Sequence, residues 1–98
     1  TLCIGGTGAI SVTANILPTR LSTLCSAWEE GDRETARKIH LDLLEINQTL
    51  FIETNPIPVK TALAMMGKVK DEFKLPLCPM GDANRKRLAA VLKRYGCI

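Results

Sequence analysis

The sequence predicts an α/β chain, mostly helical, in which one β/α unit leads into a helical extension. Three observations carry this expectation. A single stretch, Ala9-Ile10-Ser11-Val12-Thr13, is small or β-branched throughout, with glycines before it and Ala14-Asn15 after it. Beyond Pro18 the apolar residues recur at the three- and four-residue spacing of amphipathic helices. Gly31, Pro56 and Gly67 punctuate those helical stretches.

Taken in order, Thr1 to Ile4 reads as the end of a preceding helix, and Gly5-Gly6-Thr7-Gly8 as a helix-to-strand turn that needs positive φ. Phosphate-cradling loops carry their glycines between a strand and the helix after it, whereas these precede a strand. The strand Ala9–Thr13 cannot satisfy its own N–H and C=O groups, and no second strand accompanies it. Its partners are therefore expected in an N-terminal part of the same polypeptide or in another chain, and Thr1 in place of an initiator Met suits the former. Pro18 makes a good first helical position. Leu21, Leu24, Cys25 and Trp28 then form one apolar stripe, and Gly31 stops the helix. A strand followed at once by an amphipathic helix is the building unit of parallel α/β sheets and barrels.

Asp32 is placed to cap the next helix, with Glu34 in its first turn. Ala36, Ile39, Leu43, Ile46 and Leu50 form its stripe, and His40, Leu44, Asn47 and Phe51 widen it, so this helix expects neighbours on more than one side. His40 reads as a partly buried, hydrogen-bonded side chain rather than a catalytic one. Asn55-Pro56-Ile57-Pro58 breaks the helix. Val59, Ala62, Leu63 and Met66 mark another, closed by Gly67, with Lys60 as a structural lysine near its start. Residues 68–80 form an irregular connection whose Leu75-Pro76-Leu77-Cys78-Pro79 is expected as a strap over neighbouring helices. The last helix, Asp82 to Tyr95, buries Leu88, Val91, Leu92 and Tyr95 and turns Lys86, Arg87, Lys93 and Arg94 outward.

Composition narrows the function classes. With 98 residues, 46% hydrophobic and 23% charged, the chain suits one globular domain with a core. A net charge of +3 and 4% aromatics give no basic, base-stacking surface, so nucleic acid is not an expected partner. No apolar run reaches the ~18 residues of a membrane span, so no membrane role is expected. Cys3, Cys25, Cys78 and Cys97 lack Cys-x-x-Cys spacing, and His40 is the one histidine. Neither a metal nor a cofactor is expected, and four reduced thiols suit a cytoplasmic protein.

Three stretches together resemble a known family. Gly-Gly-Thr-Gly-Ala-Ile-Ser-Val-Thr-Ala-Asn (5–15), Phe-Ile-Glu-Thr-Asn-Pro-Ile-Pro-Val-Lys (51–60) and Leu-Pro-Leu-Cys-Pro (75–79) are similar to the C-terminal part of the dihydrodipicolinate synthase family. Glycine before Ile-Ser-Val is shared among pyruvate-dependent class I aldolases, and Asn-Pro-Ile-Pro-Val-Lys is the narrower marker. Cys78 stands where threonine or serine is common, Thr61 where tryptophan is frequent, and Gly81 where a polar cap is usual.

The resemblance implies a C-terminal fragment of a (β/α)8 TIM barrel, the last strand and helix in residues 1–31 and a C-terminal three-helix domain in 32–98. It implies condensation of pyruvate with L-aspartate 4-semialdehyde through an imine on a barrel lysine, toward diaminopimelate and lysine. The complete protein is then expected as a homotetramer. The catalytic lysine is expected upstream of Thr1, in the missing N-terminal barrel segment, so this chain alone should be inactive. Lys60 and Tyr95 are no substitutes. Ile10, in Gly8-Ala9-Ile10-Ser11, matches the family position that lines the pyruvate pocket, with a positioning role. Another pyruvate-dependent aldolase and a stand-alone helical interaction module are the alternative readings.

Overall fold

A computed structural model describes residues 1–98. Five α-helices follow one another: α1 (Pro18–Glu29), α2 (Arg33–Asp42), α3 (Leu44–Thr49), α4 (Ile57–Met65) and α5 (Asp82–Arg94). Short 3-10 turns at Leu2–Ile4 and Thr13–Asn15 precede them.

The helices begin and end for local reasons. Pro18 opens α1, where its missing N–H deprives no intrahelical carbonyl. Gly31, at φ 84°, closes it: the amide of Asp32 donates to the carbonyl of Ala27 at 2.8 Å and that of Gly31 to Trp28 at 3.1 Å. That is the paired closure which a left-handed residue makes available at a helix C-terminus. The chain uses it before α1 as well. Gly5, at φ 95°, lets the amides of Gly5 and Gly6 reach the carbonyls of Leu2 and Thr1. The glycine run is thus a helix-to-extended turn, as its position in the sequence implies. Asp32 caps α2 by accepting the Thr35 amide at 3.1 Å and the Thr35 hydroxyl at 2.6 Å.

α2 and α3 are one rod interrupted at Leu43. The i to i−4 ladder continues on both sides, from Leu43 to Ile39 at 3.0 Å and from Asn47 to Leu43 at 2.9 Å. This rod, α4 and α5 enclose the core. Leu43, Ile46, Leu50, Ala62, Leu88, Val91 and Leu92 are closed off from solvent, with Ile57, Val59, Met80 and Ile16 around them. Burying one such leucine or isoleucine contributes about 1.5–3 kcal/mol. Thr61 sits fully buried, and its hydroxyl donates to the Ile57 carbonyl at 2.9 Å.

Three expectations are corrected. No strand forms at Ala9–Thr13. The chain there stays extended without pairing, then turns helical at Val12 (φ −62°, ψ −43°) and closes a 3-10 turn at Thr13–Asn15. A ladder needs a second extended segment, and every other long segment is committed to helix or to a proline-rich connection. His40 is exposed and its imidazole makes no hydrogen bond, because the second apolar face of the α2–α3 rod is only partly covered; Leu44 and Phe51 on that face are exposed too. The proline strap covers its neighbours with Leu77 and Met80, which pack on the core, while Leu75 stands 92% exposed.

Candidate functional site

Ile10 projects from the extended segment that follows the glycine turn, and its side chain is wholly exposed. From Thr7 to Val12 no amide donates to a backbone carbonyl. Such a run leaves its N–H and C=O groups open to water or to a neighbouring strand. What holds this segment is its downstream end. Ile16 is buried in the core, and Val12 and Leu17 pack against it. Thr13 is buried; its carbonyl accepts the amides of Ile16 and Leu17, each at 2.9 Å, and its hydroxyl donates to Oδ1 of Asn47 on α3 at 2.5 Å.

Beside the segment lies an open groove of about 710 Å³, floored by Leu2, Leu21, Leu24, Cys25 and Trp28 and edged by Arg37 and His40. The stripe of α1 is thus half-buried and faces this groove instead of a closed core. At one end the Arg33 guanidinium lies 3.6 Å from the centre of the Trp28 ring and donates to the Trp28 carbonyl at 2.9 Å.

The other polar side chains singled out in the sequence are committed to the scaffold. The Lys60 ammonium donates to the Glu72 carbonyl at 2.6 Å and sits 5.1 Å from the Phe73 ring centre, tying the 68–80 connection to α4. The Tyr95 hydroxyl donates to the Asp42 carbonyl at 2.5 Å. Arg94 pairs with Glu45, a hydrogen bond that pushes the guanidinium further above its already high ordinary range. The four cysteines are free; Cys3 and Cys78 are exposed, and burial pushes the Cys97 thiol up. No three His, Cys, Asp or Glu side chains converge as metal ligands would, and no helix is long and apolar enough to cross a membrane. The candidate site is thus an unpaired segment carrying the exposed Ile10 beside an apolar groove.

Two contacts escaped the reading of the sequence. Glu53 caps α5, its Oε1 accepting the Gly81 amide at 3.1 Å and the Asn84 side-chain amide at 2.8 Å. Thr13 pairs with Asn47 across 34 residues of sequence. An asparagine within an apolar stripe was the available signal for the second, since a polar group there needs a partner.

Comparison with known proteins decides the family. The model of the dihydrodipicolinate synthetase family matches residues 1–95. The chain belongs to that family. The 4-hydroxy-tetrahydrodipicolinate synthase of Thermodesulfovibrio yellowstonii is 61% identical over 97 residues, covering 99% of this chain and 33% of that protein. The dihydrodipicolinate synthase structure from Thermotoga maritima superposes at a TM-score of 0.96 with 42% identity, again over 99% of this chain and 33% of that one. The enzyme of Acinetobacter baumannii, solved with pyruvate, superposes at 0.91 with 39% identity over 97% of this chain and 33% of its own.

The chain therefore spans about a third of the length of the curated relatives it matches. The fold class agrees with a mostly helical C-terminal portion of a dihydrodipicolinate synthase barrel protein. Superposition over 99% of the chain also takes in the unpaired segment around Ile10, so its course is that of the relatives even without strand pairing.

Proposed function

We propose that this chain is the C-terminal part of a 4-hydroxy-tetrahydrodipicolinate synthase, which condenses pyruvate with L-aspartate 4-semialdehyde. The observation that carries the reading is 61% identity to a synthase of that name over 99% of the chain, with Gly8-Ala9-Ile10-Ser11 inside the matched region. Residues 1–31 supply the last β/α unit of the barrel and 32–98 the appended helical domain. The exposed, unpaired segment at Ala9–Ser11 becomes a barrel strand once its neighbours lie beside it. Ile10 then forms an apolar wall of the pyruvate pocket.

The reaction uses a lysine of the preceding barrel segment. Its amine and the pyruvate ketone form an imine with loss of water, the iminium acidifies the methyl group, and the enamine left after proton loss attacks the aldehyde carbon. Lys60 is no replacement for that lysine, since it is held by the Glu72 carbonyl and the Phe73 ring. The chain alone is therefore inactive. The complete protein is a cytoplasmic homotetramer that needs no cofactor, and four free thiols suit that compartment.

Borohydride reduction of the full-length polypeptide with pyruvate tests the reading. Mass spectrometry should find the reduced adduct on a lysine outside residues 1–98, and the same protein should consume aspartate semialdehyde. Absence of an adduct, or an adduct on Lys60, refutes the assignment. Condensation with a different aldehyde moves the protein to another branch of the pyruvate aldolases.

A further inference from the structure

We infer that Thr13 and Asn47 are positioning residues through which the helical domain sets the place of the Ile10 wall; the inference rests on the proposed pyruvate pocket. Upstream of Val12 the segment carrying Ile10 has no backbone hydrogen bond to restrain it. Its position is therefore inherited from its downstream end, three residues away. There the Thr13 hydroxyl donates to Asn47 Oδ1 at 2.5 Å, and Thr13 is 3% exposed. It is the one side-chain hydrogen bond that leaves residues 5–17 for the rest of the molecule: Ser11 bonds the Ala14 amide and Asn15 the Val12 carbonyl, both within the segment.

The surrounding packing makes this bond directional. Ile16, Val12 and Leu17 hold the segment to the core by contact, which fixes depth but tolerates small slides and rotations. The hydroxyl-to-amide bond removes that freedom, because a short, shielded bond is sensitive to both distance and angle. Asn47 stands on the rod between Ile46 and Leu50, both closed off from solvent, so the acceptor is itself fixed. In a barrel the neighbouring strands would pair the Ile10 backbone laterally; Thr13 would then set how far along its own axis the strand sits. A slide of that kind moves the apolar wall against the bound substrate.

The test uses the full-length enzyme with Thr13→Val, Thr13→Ser and Asn47→Ala. Thr13→Val keeps the shape and removes the donor, while Thr13→Ser keeps the donor. Thr13→Val and Asn47→Ala should each raise the pyruvate KM about three- to tenfold, the range of one lost shielded hydrogen bond, with kcat changed less than about twofold. Thr13→Ser should stay near the parent value. The double variant Thr13→Val, Asn47→Ala should be no worse than either single one, since both remove the same bond. A lowered Tm with an unchanged pyruvate KM makes the pair merely structural and overturns the inference. So does a Thr13→Ser enzyme as impaired as Thr13→Val. If Thr13→Val does not fold, Asn47→Ala against Thr13→Ser decides. Borohydride trapping of pyruvate by the parent enzyme keeps the two levels apart. An adduct without the KM shift defeats the inference alone, and no adduct defeats the pocket and the inference together.

Discussion

Removing the Glu53 carboxylate should loosen the first turn of α5 while leaving the rest of the core in place. α5 starts at Asp82 after Gly81, which has no side chain to cap it, yet Gly81 has the extended backbone of an ordinary cap residue (φ −61°, ψ 146°). Glu53, 28 residues earlier, supplies the missing acceptor to the Gly81 amide and to Asn84. Losing a cap acceptor costs about 0.5–2 kcal/mol, and losing a negative charge beside a helix N-terminus about 0.3–1 kcal/mol. Taken at about 1.5 kcal/mol together, Glu53→Ala should raise local opening of that turn on the order of tenfold. Glu53→Gln keeps an acceptor and should cost only the charge, about two- to fivefold. Hydrogen exchange at the amides of Gly81, Arg85 and Lys86, compared with those of Leu88 to Leu92, reads the effect directly. Gly81→Ser adds a local cap; the new Cβ would come 3.3 Å from Glu53 Oε1, the movable end of a side chain, so the site can accept it. In that background Glu53→Ala should lose much of its effect. Equal protection in Glu53→Ala and parent protein would refute the cap, and equal loss in the Gln and Ala variants would refute the part assigned to the acceptor.

Three further outcomes follow from other contacts. Leu92→Ala removes a fully buried side chain and should cost about 2–5 kcal/mol in urea unfolding of the full-length protein, whereas Leu75→Ala, at a position 92% exposed, should stay within about 0.5 kcal/mol. Lys60→Met should increase proteolysis within the 68–80 connection, since it frees the Glu72 carbonyl and leaves Phe73 uncovered by charge, and should leave borohydride trapping of pyruvate unchanged. The Thr35 hydroxyl and amide hold the Asp32 carboxyl below its ordinary value of 3.8. A lowered folded-state value means the cap's contribution is full above 3.8 and is lost as pH falls through the lower folded value. Protection of the Thr35 amide should therefore fall on acidification below that point, and Asp32→Asn should flatten the dependence.

How much of this was legible in the sequence depends on whether the cause is local. α1 and α5 lie where the apolar spacing and the flanking Pro18, Gly31 and Gly81-Asp82 put them, because helix propagation and capping act within a few residues. The Asp32 cap is likewise written into adjacent residues. The Glu53 cap is not, since its partners lie 28 and 31 residues away and only the packing of α4 between them brings the ends together. The strand at Ala9–Thr13 shows the opposite case. Its composition is that of a strand, but strand structure belongs to a pair of segments, and composition alone cannot supply the second. Ile10 was singled out by the motif Gly8-Ala9-Ile10-Ser11 alone, since no burial or hydrogen bond in this chain distinguishes it.

Several open surfaces of the molecule gather in its N-terminal part. Toward the C-terminal half, the core is closed: Ile46, Leu50, Ala62, Leu88 and Leu92 are shut off from solvent. Toward the N-terminal half, three separate features stay unfinished. The amides of Thr7 to Val12 lack acceptors, the apolar stripe of α1 lines an open groove, and Ile4 and Ile10 stand 90% or more exposed. Each could be ordinary on its own, for single exposed apolar residues are common on proteins. They fall together on the glycine turn, the segment after it and α1, and unpaired backbone beside an uncovered helix stripe is what the proposed β/α unit would present to a barrel. The junction between the closed and the open side is Thr13, buried within the helical core and three residues from Ile10. That is why the positioning role argued for Thr13 and Asn47 can be tested apart from stability: the bond lies on the closed side, and its effect on substrate is read on the open one.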